Sequence, residues 1–157
     1  MAKLDDLLKL MVKQNASDLH LSSGAVPYLR IHGHMVELNS GEISHDYCQK
    51  LIFEILTENQ IDEFKKRRDM VVRMLNQADG ISCSTPEGAF YVFPQVPDGG
   101  GTGTYFIARA VENELLIIPG GIFSGRDTHF RISYAASDAT IERGLEVLRR
   151  LARRGEW

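Results

Sequence analysis

TENQIDEFKKRRDMVVRMLNQA, residues 57–78, reads as one long helix. Thr57 followed three residues later by Gln60 is a capping-box start, in which each side chain satisfies a backbone amide of the first turn. Asp79-Gly80 supplies the stop, because glycine accepts the left-handed conformation that closes a helix. Ile61, Phe64, Val71, Val72 and Leu75 keep helical phase, and Phe64 and Val71, one heptad apart, project from nearly the same face. Lys65-Lys66-Arg67-Arg68-Asp69 interrupts that stripe with charge, as a solvated helix face would. The residues before this helix and those after it are punctuated differently, which makes it a join.

The whole chain sets the bounds. A length of 157 residues allows one well-buried core or two small ones. With 43% hydrophobic and 25% charged residues, disordered and fibrous classes are disfavoured. A net charge of -3 gives no electrostatic case for a nucleic-acid partner. The apolar runs are too short for a membrane span, and MAKLDDLLKL has acids where a signal peptide would have its apolar core. Cys48 and Cys83 stand in no metal or redox spacing; buried free thiols and a cytoplasmic address are expected.

Outward from the join toward the N-terminus, Leu4, Leu7, Leu8 and Met11 predict an amphipathic helix over about residues 3–14. Leu19 and Leu21 alternate with polar neighbours as in a strand, and Leu29 and Ile31 do the same. His32-Gly33 offers a hairpin turn before Met35–Leu38, and Ser44 caps a helix whose stripe is Tyr47, Leu51, Ile52, Ile55 and Leu56. Toward the C-terminus, residues 81–85 and 89–93 read as strands around Pro86-Glu87-Gly88, and Pro97–Gly101 reads as a loop. A short helix is expected over about 103–113, then an apolar run Leu115–Ile118 and an alternating strand through Phe130, Ile132 and Tyr134. Ser137 caps a last helix carrying Ile141, Leu145, Leu148 and Leu151 on one face, with Gly144 inside it. The fold class is therefore α+β: a mixed or antiparallel sheet packed with helices, with one continuous helix about 57–78 joining the halves.

LDDLLKLMVKQNASDLHLSSGAVPYLRIHGHMVELN and LIFEILTENQIDEF carry a resemblance, over residues 3–64, to the N-terminal module of type IV pilus retraction ATPases. His32 departs from that pattern, which usually has aspartate before the turn glycine. The resemblance implies a motor domain to follow, yet no G-x-x-x-x-G-K-[ST] loop occurs, so the machinery for ATP hydrolysis is not expected. RRDMVVRMLN, GISCSTPEGAFYVFP, LLIIPGGIFS and HFRISYA carry a second resemblance, over residues 65–157, to the C-terminal small domain of fold-type I aminotransferases.

The second resemblance implies that the arginine of the FRIS motif, Arg131, grips the substrate's α-carboxylate, a task suited to a planar guanidinium. The alternative is a strand arginine facing solvent or paired to a local acid. A pyridoxal phosphate enzyme also needs a Schiff-base lysine, an acid at the ring nitrogen and a phosphate cup. The lysines are Lys3, Lys9, Lys13, Lys50, Lys65 and Lys66, and none follows. No catalytic residue, no cofactor and no metal are therefore expected. His20, His32 and His34 lack accompanying ligands in metal spacing. Gly99–Thr104 lacks the lysine of a phosphate loop, and the arginines at 149, 150, 153 and 154 suit a helix C-terminus.

Two half-matched families meeting in mid-helix lead to one expectation: an engineered or recombined structural chimera, a single fused domain over 1–157 without catalytic activity. The alternative from another class is a binding module with weak small-carboxylate affinity at Arg131, or a protein contact surface kept from the pilus module. Self-association is left open.

Overall fold

The computed structural model describes residues 3–97 and 102–154, so most of the loop expected at Pro97–Gly101, with the glycine run inside it, lies outside the described residues. The chain divides between Ile61 and Asp62, close to the join expected at 64/65. The one fused domain expected over 1–157 thus takes the form of two compact units, each with a cluster of buried residues of its own.

In the first unit, α1 (Leu4–Lys13) and α2 (His45–Phe53) flank a three-stranded antiparallel meander, β1 (Asp18–His20), β2 (Tyr28–Ile31) and β3 (His34–Glu37). The hairpin between β2 and β3 turns on His32 and Gly33, both with positive φ (49° and 84°), the geometry of a tight two-residue turn. Ser44 caps α2 by accepting from the Tyr47 amide, and Glu54 beyond α2 accepts from the Leu4 amide at 3.0 Å, satisfying an orphan donor at the start of α1. Leu4, Leu7 and Leu51 form the buried cluster, with Leu19, Leu21, Leu38 and Tyr47 packed against it.

Helix α3 (Glu58–Asn76) is continuous, as its sequence predicts, and the division between the units falls in its first turn. The capping box is present: the Thr57 amide donates to Gln60 Oε1 at 2.9 Å and the Gln60 amide donates to Thr57 Oγ1 at 3.3 Å. Gly80 (φ 71°) follows the helix in the left-handed region.

The second unit adds β4 (Tyr91–Val92), α4 (Gly103–Glu112), β5 (Ile118–Pro119), a 3-10 turn at Gly120–Ile122, β6 (Phe130–Ser133) and α5 (Asp138–Arg154). Its sheet is antiparallel in the order β4-β6-β5, so β6 is central. Phe106 and Phe130, both fully buried with ring centroids 5.3 Å apart, sit in the core with Val71, Leu75, Leu145 and Leu148. The fold class is α+β, and every strand pairing described is antiparallel.

Residues 81–85 do not form the strand their pattern suggests; only Ser82 bridges, to Gln95. The reason is visible in Asn76. Its carboxamide accepts from the Cys83 amide and donates to the Cys83 carbonyl, each at 2.9 Å, and donates also to the Val72 carbonyl. A side chain meets the backbone's hydrogen-bonding needs here, so no neighbouring strand is required.

Gly120 and Gly144 are two of the glycines that mark close approaches. A Cβ at Gly120 would lie 2.6 Å from the Arg126 carbonyl oxygen and 2.8 Å from the Phe93 ring. Gly144, inside α5, lets Leu115 approach to where a Cβ would stand 3.1 Å from its methyl group.

Candidate functional site

Arg131 lies on the central strand, flanked on both sides, and its ladder positions set its surroundings. Ile118 of β5 stands opposite it, and Tyr91 of β4 stands opposite Ser133, two residues on and therefore on the same face. The guanidinium carbon lies 4.3 Å from the Tyr91 ring centroid and 3.9 Å from that of Phe123. The two rings come from opposite flanks of β6, one from β4 and one from the residue that ends the turn after β5. Each such contact contributes about 0.5–1 kcal/mol at a partly exposed site. Among the described residues no carboxylate forms an ion pair with Arg131.

Tyr91 is held from behind. Ala89 adopts φ 60°, a left-handed conformation costing a non-glycine residue about 1–2 kcal/mol. Tyr134 pins it: the phenol donates to the Ala89 carbonyl at 2.8 Å, and the Tyr134 amide donates to the Phe90 carbonyl at 2.9 Å. Burial pushes the Tyr134 hydroxyl pKa up, with Arg68 opposing and Asp69 adding to the shift. An aromatic row runs on from Tyr91, with the Phe90 ring centroid at 4.5 Å and that of Phe64 a further 6.4 Å away. Phe93 stacks on His129 at 5.2 Å, and burial, then the Arg126 charge, lowers the His129 pKa.

The remaining sequence candidates have local surroundings of their own. His20 and His34 sit on β1 and β3, at opposite edges of the meander, and His20 Nε2 lies 3.5 Å from Arg30. No cluster of three metal-ligating side chains occurs among the described residues. Arg149 pairs with Glu146, Arg150 donates to Asn113, and Arg153 lies 3.8 Å from Asp79, so local groups meet those charges. An apolar groove between α5 and the β5–β6 edge is lined by Leu116, Ile132, Thr140, Ile141 and Gly144 among others, none of them titratable. Among the described residues no helix is long and apolar enough to cross a membrane.

Residues 35–148 match the family described as Aminotransferase class I and II. The chain belongs to that family. The match begins thirty residues before the expected join and spans helix α3, which overturns the chimera. It likewise removes the ground for the alternative built on a pilus-module surface, and nothing supports a pilus ATPase segment within residues 3–64. The motifs read that way are a strand, a hairpin turn and a capped helix, patterns that local geometry imposes on many folds.

A probable aspartate/prephenate aminotransferase from Rhizobium leguminosarum bv. phaseoli is 41% identical over 111 residues, covering 62% of this chain and 27% of that protein. An aspartate aminotransferase from Rhizobium meliloti (strain 1021) is 39% identical over 57% of this chain and 24% of its own length. The chain thus spans about a quarter of the length of these aminotransferases. The crystal structure of a Rhizobium meliloti aspartate aminotransferase superposes with a TM-score of 0.55 at 31% identity, covering 73% of this chain and 33% of that one. An aromatic aminotransferase from Pyrococcus horikoshii OT3 gives a TM-score of 0.57, also at 31% identity, over 62% of this chain and 26% of its own.

Pyridoxal phosphate, the cofactor the family implies, does not fit the residues present. The sheet and turns that carry Arg131 contain no lysine, Lys66 being the last in the chain, and Lys65 and Lys66 are exposed on α3. Sequence reasoning finds Arg131 through the FRIS motif and misses Tyr91, Phe123 and Tyr134. Their common signal is aromatic residues on both flanks of a strand arginine.

Proposed function

We propose that this chain forms the part of a class I and II aminotransferase that receives the substrate's carboxylate, with Arg131 as the anchor, and that it performs no transamination by itself. The observation that carries the reading is an arginine, inside the residues the family covers, held over two rings and paired with no described carboxylate. A guanidinium so placed keeps its N–H edge for a bidentate bond to a planar carboxylate. Neither a Schiff-base lysine nor a phosphate loop of the G-x-x-x-x-G-K-[ST] type accompanies the anchor in this sequence. The relatives' names make aspartate the first ligand to try, and succinate, the same dicarboxylate skeleton without the amino group, isolates the carboxylate contact. Nucleic acid is not among the proposed partners at a net charge of -3, and the two free cysteines suit a reducing, cytosolic setting.

Calorimetric titration with succinate tests the anchor. Arg131→Lys is expected to weaken binding about tenfold or more, as the loss of a charge-assisted bidentate contact should. Equal binding by the variant overturns the anchor. Sustained conversion of aspartate to its keto acid by the purified chain, with pyridoxal phosphate supplied, overturns the absence of catalysis.

A further inference from the structure

We infer that Tyr91 and Phe123 are positioning residues that hold the Arg131 guanidinium edge-on to an incoming carboxylate, an inference resting on the anchor role proposed above. A long arginine side chain in water samples many rotamers, and fixing it at the moment of binding weakens the ligand. Here the side chain is already located. Its guanidinium carbon lies over one ring at 4.3 Å and over the other at 3.9 Å, while its N–H donors lie around the edge.

Three observations separate this from ordinary packing. Phe123 is 46% exposed, whereas a ring kept only for the core would be buried. The rings arrive from opposite flanks of β6, each independently fixed: Tyr91 by its ladder to Ser133 and the Tyr134 bonds behind it, Phe123 by its amide donating to the Gly120 carbonyl at 2.9 Å. No described carboxylate pairs with Arg131, so the rings are the stabilising partners its charge has on the described surface.

The test uses the full chain labelled with nitrogen-15. The Arg131 Nε–H signal is identified by its loss in Arg131→Lys, and succinate is the probe. Ring currents should displace this signal from the other arginine Nε–H signals. Phe123→Leu should return it toward them and weaken succinate binding about two- to fivefold, while Phe123→Tyr should restore both within about twofold. Tyr91→Leu should act in the same direction, and an otherwise unchanged amide spectrum shows that the variants are folded. An undisplaced wild-type signal, or a Phe123→Leu variant that binds succinate as well as wild type, overturns the positioning role and leaves the anchor standing. A displaced signal with no succinate response in the wild type overturns the anchor, and the positioning role with it.

Discussion

The two units use similar elements and are stabilised differently. The first buries Leu4, Leu7 and Leu51 together, with Leu29 and Ile43 buried outside that cluster, while every residue of β3 is exposed. The second gathers buried side chains from α3, α4, α5 and the strands into one cluster around Phe106 and Phe130. A small unit with few buried side chains depends on its ladders and caps, because it removes little apolar surface from water. A larger cluster depends on volume and shape, so single truncations are felt more strongly. A helix shared by both units therefore says little about stability on either side of it.

The sharpest way to break this comparison is Phe130→Ala. Loss of a fully buried ring should cost about 3–5 kcal/mol, read by chemical denaturation, with amide-exchange protection falling across residues 62–97 and 102–154. A cost below about 1 kcal/mol would show that the cluster is not the main support of the second unit. Leu51→Ala, at 0% exposure in the first unit, should cost about 2–4 kcal/mol, with lost exchange protection centred on residues 3–61. Phe64→Ala should cost less, about 1–2 kcal/mol, because that ring is only half-buried. If Phe64→Ala instead costs as much as Phe130→Ala in one shared cooperative transition, the two units share one core.

Alkaline pH should bear on the second unit through Cys83. Burial pushes the Cys83 thiol up to about 11, above its unfolded value near 9.0. The stability this contributes is fully present below about pH 9 and declines as pH rises toward 11, because the unfolded chain ionises first. Cys83→Ala should flatten that part of the pH–stability profile. The smallest effect belongs to Asp138→Ala, which removes a 2.7 Å ion pair to Arg67 between two partly exposed side chains. About 0.2–1 kcal/mol is expected from denaturation midpoints.

Much of the fold was legible because local signals wrote it. Thr57 with Gln60, Ser44 and Ser137 each cap the helix start their spacing predicts, and His32-Gly33 turns the hairpin. Residues 81–85 were misread as a strand because their alternation is real while their backbone partner is the Asn76 side chain, which no periodicity reveals. The site was half legible. Arg131 stands in a recognisable motif, but Tyr91 and Phe123 lie forty and eight residues before it and meet it only through strand order. The family was legible from residue 65 onward. The pilus-type reading of the first third failed because turns and caps specify local geometry far more tightly than ancestry.

Asn76 also makes the molecule sensitive to chemical ageing. Hydrolysis of its carboxamide replaces the nitrogen that donates to Val72 and Cys83 with a carboxylate oxygen facing the same two carbonyls. Two attractions become two repulsions, at the point where the chain leaves α3 for the rest of its unit. A stored sample should therefore lose its grip on residues 81–85 first, and Asn76→Asp reproduces an aged protein on the day it is made.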